Sequence, residues 1–205
     1  MATRATRPGP NVLVTGTPGC GKSTLSQLVA TAMGGRVEHI DVSDFVKTRG
    51  LHEGWDAERE CFILDEDRVR PQCKMRHTGA PRLRSVPPLG LQACAAQLLD
   101  ELELVTEQGW KIVDYHSSEL FPERWFDLVV VLQTDNAVLY QRLEARGYNE
   151  RKIQENVECE IMQVVRTEAH EAYDESIIWD LQSDTLAQME DNVQRIVDFF
   201  EQGGH

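Results

Sequence analysis

Lys22 and Ser23 end a stretch, GTPGCGKST over residues 16–24, whose residue types suit one task, the holding of phosphate. Gly16 to Ser23 satisfies the spacing GxxxxGK[ST], directly after an apolar run and at the start of a helical pattern. The glycines let backbone N–H groups converge on phosphate oxygens, and a helix N-terminus adds positive potential. At these positions the Lys22 ammonium bridges β- and γ-phosphates, and the Ser23 hydroxyl coordinates Mg2+. The chain holds no NKxD-type guanine motif, which favours ATP over GTP.

Two further strings carry chemistry. In IVDYH, residues 112–116, Asp114 and His116 alternate on an expected strand and so project to one side of it, at the edge where ligands sit in a parallel sheet. Asp114 can hold magnesium through water, and His116 can position or deprotonate an attacking water. The plainer reading of His116 is a hydrogen-bonded structural imidazole. Arg142 and Arg146, four apart on one helix face and followed by Gly147, suit a hinge that swings arginines over ATP. Surface pairing with Glu144 or Glu150 is their plainer role.

These residues need a scaffold, and the hydrophobic pattern supplies one. Short apolar runs at 11–15, 37–40, 110–114, 128–132 and 176–181 read as strands, with helical patterns between them. Near-continuous apolar strands alternating with helices predict an α/β fold whose parallel sheet is covered on both faces. The last helix shows Leu186, Met189, Val193, Ile196, Val197 and Phe200 at helical spacing, with Thr185 and Gln188 in capping-box register. At 205 residues the chain predicts one domain over 11–205, preceded by a disordered leader over 1–10.

Composition excludes several classes. With 34 acidic against 21 basic residues the net charge is -13, which disfavours broad capture of nucleic-acid backbone and leaves only local RNA contact or contact through a partner. No apolar run is long enough to span a bilayer, so no membrane role is expected. Five widely spaced cysteines without a CxxC pair argue against a disulfide framework and a zinc site, and fit cytosol or nucleus. Residues 70–95, RPQCKMRHTGAPRLRSVPPLGLQACA, break the rhythm with Pro71, Pro81, Pro87 and Pro88, basic residues and no acid. Cutting them out would join DEDRV (65–69) to AQLLDELELVTEQG (96–109) as one acidic amphipathic helix. The segment therefore reads as an insertion: a basic docking loop, a disordered excursion, or translated intron sequence.

GTPGCGKST, DEDRV, VDYH, FPERWFDLVVVLQTD and VLYQRLEARGYNERKIQENVECEIMQV together resemble the adenylate kinase isoenzyme 6 family, over Asn11 to about Val69 and Ala96 to about Glu201. The resemblance implies a P-loop nucleoside monophosphate kinase fold: a five-stranded parallel sheet, an AMP-binding segment near 41–64 and a short lid near 145–155. It implies ATP bound by Gly19, Gly21, Lys22, Ser23 and Thr24, with Arg146 closing from the lid. Mg2+ would be held at Ser23 and Asp114, and Asp114 with His116 would match the family's Asp-x-His pair, tied to ATP hydrolysis. Lys22, Asp114, His116 and Arg146 are then the candidate catalytic residues. The implied activity is transfer of the γ-phosphoryl of MgATP to AMP, with ATPase activity and a role in 18S rRNA and small ribosomal subunit maturation. The implied partners are ribosomal protein uS11 and pre-40S particles, in nucleus and cytoplasm. An alternative is an assembly factor that is primarily an ATPase and switches its grip on a ribosomal protein. The chain departs from adenylate kinases by placing Lys47, with Arg49 nearby, where an arginine generally grips the acceptor phosphate.

Overall fold

The computed structural model describes residues 7–49, 55–56, 61–62 and 91–204. In chain order the strands are β1 (Asn11–Gly16), β2 (Glu38–Asp41), β3 (Trp55–Asp56), β4 (Cys61–Phe62), β5 (Lys111–Asp114), β6 (Leu128–Gln133) and β7 (Ile178–Gln182). The α-helices are α1 (Lys22–Ala32), α2 (Val42–Arg49), α3 (Leu91–Thr106), α4 (Asn136–Ala145), α5 (Glu150–Ile161), α6 (Val164–Ala172) and α7 (Leu186–Glu201). Five strands form one parallel sheet in the order β2-β5-β1-β6-β7, and β3 and β4 pair as a separate antiparallel ribbon. Every pairing in the larger sheet is parallel, as the apolar runs and intervening helices predict.

β1 lies at the centre because it is buried along its whole length, and it sends alternate side chains to opposite faces. Val12 and Val14 join Ile112 and Val130 under α1, α4 and α7, through Leu25, Val29, Leu139, Leu143, Ile196 and Phe200. Leu13 joins Val113, Val129 and Val131 under α2, α3 and α6, through Val42, Val46, Leu98, Leu102, Ala169 and Tyr173. Two apolar layers thus clamp the sheet, and its C-terminal edge is left to the loops. The expected strand positions agree with the observed ones to within about two residues. The largest offset is at β7, where residues 175–177 form a 3-10 turn capped by Asp174 before the strand begins. The expected capping box at Thr185 and Gln188 starts α7.

Part of the expected disordered leader is fixed. Arg7 is buried and pairs with Asp127 at 2.6 Å, and Trp110 Nε1 donates to the Pro8 carbonyl. The ion pair and the indole contact offset the ordering entropy of these residues, which composition alone does not reveal. Residues 1–6 lie outside the described residues. Of the expected acceptor segment, 41–49, 55–56 and 61–62 are described; of the expected insertion, 70–90 lies outside the described residues. Its last part is helical, because α3 begins at Leu91 and runs without a break through Ala96.

Candidate active site

Gly16 ends β1 at φ +148, and a Cβ there would stand 2.6 Å from the Leu132 carbonyl oxygen, so only glycine lets β1 turn beside β6. Gly21 caps α1 in the left-handed region, φ 98, which turns the chain into the helix without a side-chain cap. The Cys20 amide donates to the Thr17 carbonyl at 3.1 Å, closing the loop on itself. Ser183 Oγ donates to the Cys20 carbonyl at 2.8 Å and so ties the loop to the segment between β7 and α7. Lys22 folds its ammonium back across the loop, donating to the Gly16 carbonyl at 2.8 Å and the Thr17 carbonyl at 3.3 Å. Ser23 and Thr24 are exposed on the first turn of α1.

Electrostatics brings further residues to the same place. Burial pushes the Lys22 ammonium below the usual lysine range, Asp114 and Asp41 hold it up, and Arg146 pushes it down. Asp114, Asp41 and Arg146 are thus each near enough to act on the Lys22 ammonium. Burial also pushes the Cys20 thiol up to about 11, helped by the charge of Glu160 and opposed by Lys22 and Arg142. At pH 7 Cys20 is a protonated packing residue of the loop.

Asp114 is 4 % exposed and ends β5 in register with Asp41, which ends β2. Its partner is His39, whose Nε2 stands 3.1 Å from Asp114 Oδ2. Ile112 packs in the layer under α1, and Val113 and Tyr115 pack in the layer under α2, so the alternation read from VDYH persists through Tyr115 although the strand itself ends at Asp114. β5 stops at Asp114, the Tyr115 amide bonds the Val14 carbonyl at 3.1 Å, and the Tyr115 side chain turns into the core against Phe121. His116 is carried past the sheet edge, exposed, with its ring 4.2 Å from that of Tyr115.

The region expected to form the lid is bounded by helix caps. Asp135 accepts from the amides of Ala137 and Val138 to start α4. Gly147, at φ 75, lets the chain leave α4, and Asn149 accepts from the Lys152 amide to start α5. Arg146 is exposed at the C-cap of α4, while Arg142 donates to the Asp184 carbonyl at 3.0 Å. Neither uses the expected partners Glu144 and Glu150. On the acceptor side Lys47 is exposed with Asp44 at 4.0 Å, and Arg49 pairs with Glu101 of α3 while lying 4.8 Å over the Phe45 ring.

Three residues of the site were not foreseen as such. Asp41 carries a visible signal, since it follows the β2 apolar run as Asp114 follows that of β5. His39 precedes Asp41 by two and faces Asp114 only because β2 and β5 are neighbours, which sequence order does not state. Glu160 lies in ENVECEIMQV, a string notable only as a whole. Its carboxylate accepts from the Thr17 hydroxyl and from the Thr134 amide at 2.8 Å. A cleft of about 380 Å³ opens beside it, between the ends of β6 and β7 and the α5–α6 junction, lined by Thr134, Asp135, Gln163, Arg166 and Asp184. It contains neither Lys22 nor Asp114.

A phosphate loop between a central strand and a helix, with carboxylates at the ends of neighbouring strands, defines a P-loop kinase. Shikimate kinase from Acinetobacter baumannii superposes with a TM-score of 0.55 at 18 % identity, covering 98 % of each chain. Shikimate kinase from Bacteroides thetaiotaomicron gives 0.53 at 19 %, covering 94 % of this chain and 98 % of that one. A family profile described as "AAA domain" matches residues 12–163. The adenylate kinase isoenzyme 6 homologue of Caenorhabditis elegans is 44 % identical over 198 residues, 96 % of this chain and 92 % of the relative. That of Dictyostelium discoideum is 43 % identical over 183 residues, 89 % and 87 % respectively. The chain belongs to the adenylate kinase isoenzyme 6 family, a family of nucleotide kinases.

Proposed function

We propose that this protein transfers the γ-phosphoryl group of MgATP to AMP. The observation that carries the reading is the phosphate loop with Lys22 folded across it and Asp114 and Asp41 in register at the ends of β5 and β2, together with relatives named as adenylate kinases. The loop amides and Lys22 hold the β- and γ-phosphates, and Lys22 exchanges its bonds to the Gly16 and Thr17 carbonyls for bonds to phosphate oxygens. Ser23 hydroxyl and Asp114 carboxylate are oxygen donors of the kind a hard cation takes, so they fit Mg2+. Magnesium supplies neutralisation of phosphate charge when bound. A phosphate oxygen of AMP forms the new bond to the γ-phosphorus, the bond to the β-bridging oxygen breaks, and the product is two ADP. Arg146 closes from the lid over the transferring group, and Lys47 and Arg49 hold the acceptor phosphate. Phosphoryl transfer requires mainly positioning and charge, so no dedicated base is needed.

A second acceptor, water, is favoured by the exposure of His116 two residues beyond Asp114. His116 there orients or deprotonates the attacking water, and the products are ADP and phosphate. In this reading hydrolysis accompanies a role in small ribosomal subunit maturation, in nucleus and cytoplasm, through ribosomal protein uS11 on pre-40S particles. Family membership supports that reading.

Phosphorus NMR of the full chain with MgATP tests both. With AMP present two ADP are expected to form with little free phosphate, and His116→Ala is expected to slow phosphate release more than ADP formation. Free phosphate at the same rate with and without AMP, and no AMP-dependent ADP, would reject the kinase reading. Equal losses in both reactions would remove the special role of His116.

A further inference from the structure

Glu160 sits in the last turn of α5, where the helix dipole opposes a negative charge. It is partly buried and lies 3.9 Å from the Cys20 sulfur, beside a loop shaped to receive a polyanion. The dipole, the partial burial and the neighbouring polyanion site cost stability, which a neutral residue would avoid, while the protonated Cys20 thiol donates only a weak hydrogen bond to Oε2. What the carboxylate gains is a bond at each oxygen. Oε2 accepts from the buried Thr17 hydroxyl of the phosphate loop, and Oε1 accepts from the Thr134 amide at 2.8 Å.

Those two partners lie at telling places. Thr134 follows β6 and leads through the Asp135 cap into α4, the helix that delivers Arg142 and Arg146. Glu160 itself closes the helix by which the chain returns from the lid. Immediately after it Gln163 takes the left-handed conformation, φ 51, a corner that holds the end of α5 toward the loop while α6 departs. One carboxylate therefore joins both roots of the lid to each other and to the phosphate loop.

We propose that Glu160 is a positioning residue: its carboxylate staples both roots of the lid to the phosphate loop, so that seating the ATP phosphates and closing Arg146 over them are one coupled step. The proposal rests on the nucleotide-kinase reading and deepens it. Methionine at 160 keeps the length of the side chain and accepts from neither partner, whereas glutamine could still donate to the Thr17 hydroxyl, which accepts as well as donates. Valine at 17 removes the link to the loop alone, whereas serine preserves the hydroxyl.

The test follows hydrogen exchange of residues 145–155 with and without saturating MgATP, alongside kcat with AMP, on the full chain. In the wild type MgATP slows exchange across the lid. In Glu160→Met and in Thr17→Val most of that slowing is lost and kcat falls about tenfold, with thermal midpoints near that of the wild type. The double variant loses no more than Glu160→Met alone, and Thr17→Ser keeps the slowing that Thr17→Val loses. Should Glu160→Met fail to fold, the Thr17→Val and Thr17→Ser pair carries the same test. Wild-type lid protection and turnover in Glu160→Met and Thr17→Val, or losses that multiply in the double variant, would overturn the staple. A wild type that shows neither turnover nor lid protection by MgATP would instead overturn the kinase reading beneath it.

Discussion

The phosphate loop and the acceptor side of the site are built by opposite means. The loop is fixed by its backbone and by internal anchors: a glycine that fits beside the Leu132 carbonyl, a hydrogen bond from the Cys20 amide to the Thr17 carbonyl, and side-chain bonds from Ser183 and Glu160. The acceptor side offers two exposed cations on α2, Lys47 and Arg49, each already paired with a surface carboxylate. Exposed ion pairs contribute about 0–1 kcal/mol, so Asp44 and Glu101 yield readily to a phosphate. In the proposed function the donor site is set before substrate arrives, and the acceptor phosphate is met by Lys47 and Arg49, side chains that exchange partners.

That contrast is broken most severely at its one indispensable donor-side side chain. Lys22→Ala removes the side chain proposed to span the β- and γ-phosphates, and it is expected to lower both transfer and hydrolysis by about a thousandfold or more. Turnover near the wild-type rate in either reaction would mean that the loop is not the phosphate site. A smaller effect sharpens the other half. Lys47→Ala is expected to raise KM for AMP about tenfold while leaving KM for ATP within about twofold. Lys47→Arg, which restores a bidentate fork, is expected to lower KM for AMP below that of the wild type. Equal changes for both nucleotides would dissolve the distinction between the two sides.

The donor side was also the more legible in sequence, and for the same reason. Backbone architecture needs glycines at set positions, so GTPGCGKST announces it, and the order strand, loop, helix follows from the apolar spacing around it. The sheet was legible because its strands are buried on both faces and read as apolar runs. Partners set by tertiary neighbours left no such mark. His39 reaches Asp114 because β2 and β5 happen to be adjacent, and Glu160 reaches Thr17 across 143 positions of sequence. The alternation read from VDYH follows the packing as far as Tyr115, which joins Val113 in the layer under α2, and the strand ends at Asp114 where its hydrophobic run ends. Arg7 shows the converse, a residue in a stretch expected to be disordered that is fixed by partners far along the chain, the Asp127 carboxylate and the carbonyls of Arg124 and Trp125.

Calorimetric titration of the full chain with a non-hydrolysable ATP analogue and magnesium, and separately with AMP, at two salt concentrations, tests the contrast most directly. The account predicts that the triphosphate binds without AMP and that its affinity changes little with salt. AMP alone binds more weakly, and its affinity falls steeply as salt screens Lys47 and Arg49. AMP binding that is as tight as the triphosphate's and as indifferent to salt would contradict a backbone-built donor site facing a side-chain-built acceptor site.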